Sequence, residues 1–176
     1  METRVPGCRR AWLAASALLL LSAAAPAAAQ PARANATVKA KVVKPLVLSW
    51  VQDLNFGTVL LSGSGTWSGA TATVNRSGIR TCSAALTCSG AFQVAKYRIG
   101  GTNNQTVRIN APNVTLVNQA DASKTLTMMV DSPGSILLTN SSPNGQEFSL
   151  GGSINFSSTT ADGTYVGTFN VTVEYQ

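Results

Sequence analysis

A chain of 176 residues with 11% charged side chains, three cysteines and no histidine suits one domain with one core once a leader is set aside. The missing histidine excludes Ser-His and Cys-His nucleophile pairs, and a net charge of only +6 is no footprint for nucleic acid. Thr, Ser, Asn, Gly and Val are abundant, the composition of an exported β protein with uncharged polar outer faces.

Arg4, Arg9 and Arg10 precede an apolar or small-residue stretch, Ala11 to Ala25, which closes on Ala27-Ala28-Ala29. A basic start, a short apolar run and an Ala-x-Ala site make a secretory signal. Residues 1–29 are therefore expected to be removed, with cleavage after Ala29, or after Ala34 as the alternative, leaving 30–176 as a single β-domain. The leucine-rich centre falls short of the roughly 20 apolar residues of a membrane span, and no later segment is apolar enough to be one. Cys8 leaves with the signal.

Beyond the leader the apolar period is 2. Val38, Ala40 and Val42 alternate with Lys39 and Lys41, and Lys39, Lys41 and Lys44 read as the wet face of a first strand. Leu46 and Leu48 continue after Pro45, then Leu54, Phe56 and Val59 around Gly57. A Gly/Ser loop from Ser62 to Gly69 carries Trp67. Strands are predicted at 70–75, 91–99, 105–110, 113–117, 125–130 and 147–156, most of them separated by turn clusters such as Gly100-Gly101, Ser132-Pro133-Gly134 and Pro143-Asn144-Gly145. The clearest prediction is a last strand over 165–176, with Tyr165, Gly167, Phe169, Val171, Val173 and Tyr175 on one face. Many short strands with regular turn signals predict a β-sandwich or barrel.

The remaining cysteines, Cys82 and Cys88, are expected to bond in an oxidising compartment and pin a hairpin tip. Two cysteines without histidine fall short of a zinc ligand set. The carboxylates Asp53, Asp121, Asp131, Glu147, Asp162 and Glu174 form no convergent pattern, so no enzyme, no catalytic residue, no metal and no cofactor is expected. Trp67 is expected to fold back and cap the domain, the alternative being a ligand contact that stacks on a sugar or a partner. Arg76 and Arg80 are potential neighbours of it.

Three stretches carry a family resemblance. Asp53-Leu54-Asn55-Phe56-Gly57-Thr58-Val59, Thr87-Cys88-Ser89-Gly90 and the ending Gly163 to Tyr175 resemble the bacterial family called domain of unknown function 4402, which implies a secreted β-domain without an established activity. The same ending, with Phe169, Val171, Val173 and the penultimate Tyr175, is similar to that of chaperone–usher and spore-coat-U-like pilins. That resemblance implies an immunoglobulin-like β-sandwich completed by a donated strand. The donor would come from the start of the exported chain, with Ala36, Val38, Ala40 and Val42 inserted.

The expected function is a non-enzymatic structural subunit of a surface fibre or pilus-like assembly. Its partners would be other copies or related subunits and a periplasmic chaperone, with no nucleic acid and no membrane span. Its location would be the periplasm and then the surface of a Gram-negative bacterium. The alternative is a self-complete secreted module that binds surface carbohydrate or matrix.

Overall fold

The computed structural model describes residues 32–140 and 145–176. The expected signal peptide and the Pro143-Asn144 part of one turn lie outside the described residues. Thirteen strands and no helix occur among the described residues: β1 (Val47–Gln52), β2 (Thr58–Leu61), β3 (Ala70–Val74), β4 (Arg80–Cys82), β5 (Leu86–Ser89), β6 (Ala95–Gly100), β7 (Thr106–Asn110), β8 (Val114–Asn118), β9 (Thr125–Asp131), β10 (Ser135–Leu137), β11 (Gln146–Phe156), β12 (Tyr165–Val166) and β13 (Thr172–Tyr175).

The hub is β11, whose eleven residues reach roughly 36 Å at about 3.3 Å per residue. Its first half pairs with β6 and its second half with β3, while β9 takes the opposite edge of the second half. The large sheet runs β1-β6-β11-β9-β8-β12, with β3 and β4 attached through β11, and a small sheet runs β10-β7-β13. A third ladder joins β2 to β5. All of these pairs are antiparallel.

Alternation explains which faces meet. In β7, Val107 and Ile109 are buried while Arg108 and Asn110 are exposed. In β8, Val114 and Leu116 are buried around an exposed Thr115. The main core gathers Ala95 and Ile99 of β6 and Phe148 and Leu150 of β11 against Val107, Ile109 and Leu138. Strands of the large sheet and of the small one therefore share this core. A second cluster, Val114, Leu116, Met128 and Ile154, continues the core under β8, β9 and β11. A third, Ala70, Ala72 and Leu86, lies between β3 and the β2–β5 ladder.

Three expectations about the strands need correction. Residues 32–46 form no strand, and Ala32 through Pro45 are all exposed, so Lys39, Lys41 and Lys44 are not the wet face of one. Alternation states which face a strand would bury, but a ladder also needs a partner edge. The predicted strand 91–99 starts only at Ala95, because Gln93 instead makes an isolated bridge with Asn55. The single last strand is two: β12 pairs with β8 in the large sheet and β13 with β7 in the small one. The chain crosses between sheets over residues 167–171. Gly167 permits the crossing, since a side-chain carbon there would sit 2.7 Å from both Leu116 and Val114.

Cys82 and Cys88 are bonded. They do not pin a hairpin, because β4 pairs with β3 and β5 with β2. The bond instead ties the large sheet to the β2–β5 ladder across a turn held by Leu86 N–H donating to Ser83 O (2.8 Å). Closing a loop with a sequence separation of 6 is worth about 2 kcal/mol by chain entropy. The Cys82→Ser/Cys88→Ser double variant is expected to melt roughly 5 °C lower. An unchanged thermal midpoint would show that the β2–β5 ladder holds itself.

Candidate functional site

The small sheet ends on β13, and the large sheet ends on β1. Through one edge β13 pairs Thr172 with Asn110, Val173 with Ile109, Glu174 with Arg108 and Tyr175 with Val107. Its other edge has no strand partner among the described residues. Phe169, Val171, Val173 and Tyr175 alternate with exposed Asn170, Thr172 and Glu174. All four apolar residues pack against the main core, yet each is only half-buried. Their paired neighbours Val107 and Ile109 are buried to 0% and 4% exposure. Core burial is therefore complete beneath β7 and only partial beside β13.

The facing strand tells the same story. Leu48 pairs with Ile99 and Trp50 with Tyr97, before a register shift at Val51. Paired residues share a face in an antiparallel ladder, and Ile99 is in the core. Trp50 thus stands on the inward face of β1 but is 63% exposed. Its indole N–H donates to Asp53 Oδ1 at 3.0 Å. The Tyr97 ring stacks on Phe148, with centroids 5.7 Å apart. Partial burial, and secondarily the Asp53 charge, raises the Tyr97 phenol above its ordinary value.

The structure thus brings Phe169, Val171, Val173 and Tyr175 into one row. It leaves Val38, Ala40 and Val42 outside any strand, with Val38 91% and Val42 90% exposed. The root of that segment is tied down. Lys44 N–H donates to Thr102 Oγ1 at 2.7 Å, Thr102 N–H donates to the Tyr175 hydroxyl oxygen at 2.8 Å, and the Tyr175 hydroxyl donates to Lys44 O at 2.6 Å.

Trp67 is half-buried against the Ala70, Ala72 and Leu86 cluster. Its indole N–H donates to Ser62 O at 3.3 Å, and its backbone exchanges hydrogen bonds with Ser158. Arg76 and Arg80 are engaged elsewhere. Arg76 pairs with Asp131 at 2.8 Å. Arg80 donates to the carbonyls of Phe56, Cys88, Ser89 and Gly90 and lies over the Phe92 ring at 4.5 Å.

Other carboxylates have local tasks. Glu147 faces Lys96 and Arg98. Asp121 closes a turn, and hydrogen bonds from Ser123 hold its carboxyl below the ordinary range. Among the described residues no three metal-ligating side chains cluster, and no helix is long and apolar enough to cross a membrane. An open hollow of about 500 Å³ lies on another part of the surface, lined by Lys124, Asn155, Phe156, Thr160 and Tyr165 among others.

Sequence reasoning missed Asn118 and placed Arg80 near Trp67 rather than on the carbonyls it holds. The buried Asn118 donates to Asp162 O and accepts from the backbone N–H groups of Ala120 and Asp121. The Asn55-Phe56-Gly57 stretch acquires a physical meaning. Asn55 Oδ1 accepts from Gly57 N–H at 2.8 Å, and Gly57 takes a φ of +76° beneath the Arg80 guanidinium.

These features define an all-β domain whose last strand has a free edge among the described residues, with a strandless stretch ahead of its first strand. The model of the family described as "Domain of unknown function (DUF4402)" matches residues 46–175, and the chain belongs to that family. No curated protein and no solved structure matches it.

Proposed function

We propose that this chain is a non-enzymatic structural subunit of a bacterial surface fibre, its fold an immunoglobulin-like, pilin-type sandwich that accepts a strand from a neighbouring copy. The carrying observation is a pairing of opposites. One edge of the core has an unpaired strand and a half-buried apolar row, Phe169 to Tyr175. The same chain holds an exposed, strandless segment, Ala36 to Val42, with the matching period of 2. A donated strand would supply backbone hydrogen bonds worth about 1 kcal/mol each. Each newly buried valine would add about 1.5–3 kcal/mol, the logic of strand addition.

Export fits this reading. The basic start, short apolar run and Ala-x-Ala site are those of a signal peptide, and the Cys82–Cys88 bond suits an oxidising compartment. A periplasmic chaperone would hold the β13 edge until a neighbour replaces it. Deleting residues 30–43 from the exported chain is expected to abolish multimers in size-exclusion light scattering and electron micrographs. The variant should retain the β-sheet circular dichroism spectrum and any chaperone-bound form. An intact exported chain that stays a stable monomer at high concentration would sink the fibre reading.

A further inference from the structure

We propose that Tyr175 is a positioning residue that couples the filling of a subunit's open edge to the ordering of its own outgoing segment; this rests on the strand-addition reading above. Two features of the one side chain carry the inference. Its ring belongs to the half-buried row beside the unpaired edge of β13. Its hydroxyl sits in a closed ring of three hydrogen bonds with Lys44 and Thr102.

Lys44 is the point where the exposed stretch meets the folded domain. The next residues, Leu46 and Leu48, pack on the main core, whereas every described residue before Leu46 is exposed. The hydroxyl fits closely. A side-chain carbon on the neighbouring Gly101 would sit 2.7 Å from the Tyr175 oxygen and 2.8 Å from Leu46. The space between the last strand and the segment root is thus already filled by the Tyr175 hydroxyl and Leu46.

A strand laid along β13 would cover the Tyr175 ring and remove its freedom to swing outward. The ring would then hold its hydroxyl on Lys44 O and Thr102 N–H for more of the time, which fixes where residues 36–42 leave the domain. An empty edge would leave the ring, and with it the exit point, looser. A subunit would therefore present its donor segment in a defined direction only after its own edge is filled, and growth would proceed from occupied subunits. Coupling of this kind needs a shared element that both sites bias, and Tyr175 is that element.

The test uses the complete exported chain at low concentration and a synthetic peptide of residues 32–43 as the probe. Peptide binding is followed by the emission of exposed Trp50, and order at the root by hydrogen exchange of the Lys44 and Thr102 amides. In the parent chain the peptide is expected to shift the Trp50 emission to shorter wavelength and slow both amides about tenfold. Tyr175→Phe keeps the ring and removes the hydroxyl. It should bind the peptide within about threefold of the parent, while both amides exchange faster and no longer respond.

Thr102→Val should free the Lys44 amide with peptide binding retained. If Tyr175→Phe leaves both amides as slow and as responsive as in the parent, the coupling is wrong while strand addition stands. If the peptide moves Trp50 emission in neither chain, strand addition fails and the coupling falls with it.

Discussion

A Gly57→Ala chain is expected to lose about 3 kcal/mol of stability and to melt about 10 °C below its parent. Two costs combine. The φ of +76° lies in the left-handed region that side chains rarely adopt. The new carbon would also stand 2.5 Å from Ser89 O and 2.7 Å from an Arg80 guanidinium nitrogen. Neither neighbour has a cheap escape. Ser89 O belongs to the β2–β5 ladder, where Thr58 pairs with Ser89.

Arg80 is charged, has no carboxylate partner among the described ion pairs, and is held by carbonyl dipoles. It donates to Phe56 O at 3.2 Å, Ser89 O at 2.9 Å, Gly90 O at 3.2 Å and Cys88 O at 3.4 Å. Hydrogen bonds to a charged group are stronger than neutral ones, so displacing Arg80 loosens the fastening of the β2–β5 ladder to β4. A double-mutant cycle with Arg80→Ala separates the contributions. Because the two residues touch, their losses should be clearly non-additive. Urea melts showing Gly57→Ala within about 0.5 kcal/mol of the parent would refute this account of the turn.

The same turn shows what the sequence could and could not convey. Strands whose two faces differ in kind were legible from alternation alone. The predictions at 70–75, 105–110, 113–117, 125–130 and 147–156 fall on β3, β7, β8, β9 and β11 with ends shifted by at most one residue. The Cys82–Cys88 bond was legible from the cysteine count and spacing, but what it joins was not, because spacing is silent about which strand pairs with which. The roles of Arg80 and Asn118 left no signal, since their hydrogen-bond partners are backbone carbonyls and N–H groups that every residue carries.

Period 2 over-predicted strand in two places. It predicted a strand at Val38–Val42, where none forms among the described residues. It also predicted a continuous last strand where the chain changes sheets between Val166 and Thr172. In both places the side-chain pattern describes a surface to be covered, and only the tertiary arrangement decides what covers it. Of the face grouped from the sequence, Phe169, Val171, Val173 and Tyr175 pack against the main core, whereas Tyr165 packs on the second cluster.

The largest functional effect is expected from Val38→Asp/Val42→Asp. At 91% and 90% exposure these side chains make almost no contact within the described chain, so the substitutions should leave the urea midpoint of the monomer within about 0.5 kcal/mol of the parent. Seated along a neighbour's β13, the same positions would be covered by the apolar row and by inward-facing Trp50. Each valine would forgo about 1.5–3 kcal/mol of burial, and each aspartate would add the cost of desolvating an unpaired carboxylate. The sum exceeds about 4 kcal/mol, which is more than a thousandfold in association. Multimers should vanish from sedimentation profiles at concentrations where the parent assembles fully. Lys39→Asp/Lys41→Asp carries the same number of acidic substitutions on the outward-facing positions and should assemble within about tenfold of the parent. The contrast between the two variants is decisive because both put two aspartates into the same exposed segment. If they weaken assembly equally, charge rather than side-chain insertion governs association. If neither weakens it, residues 36–42 are not the donor strand.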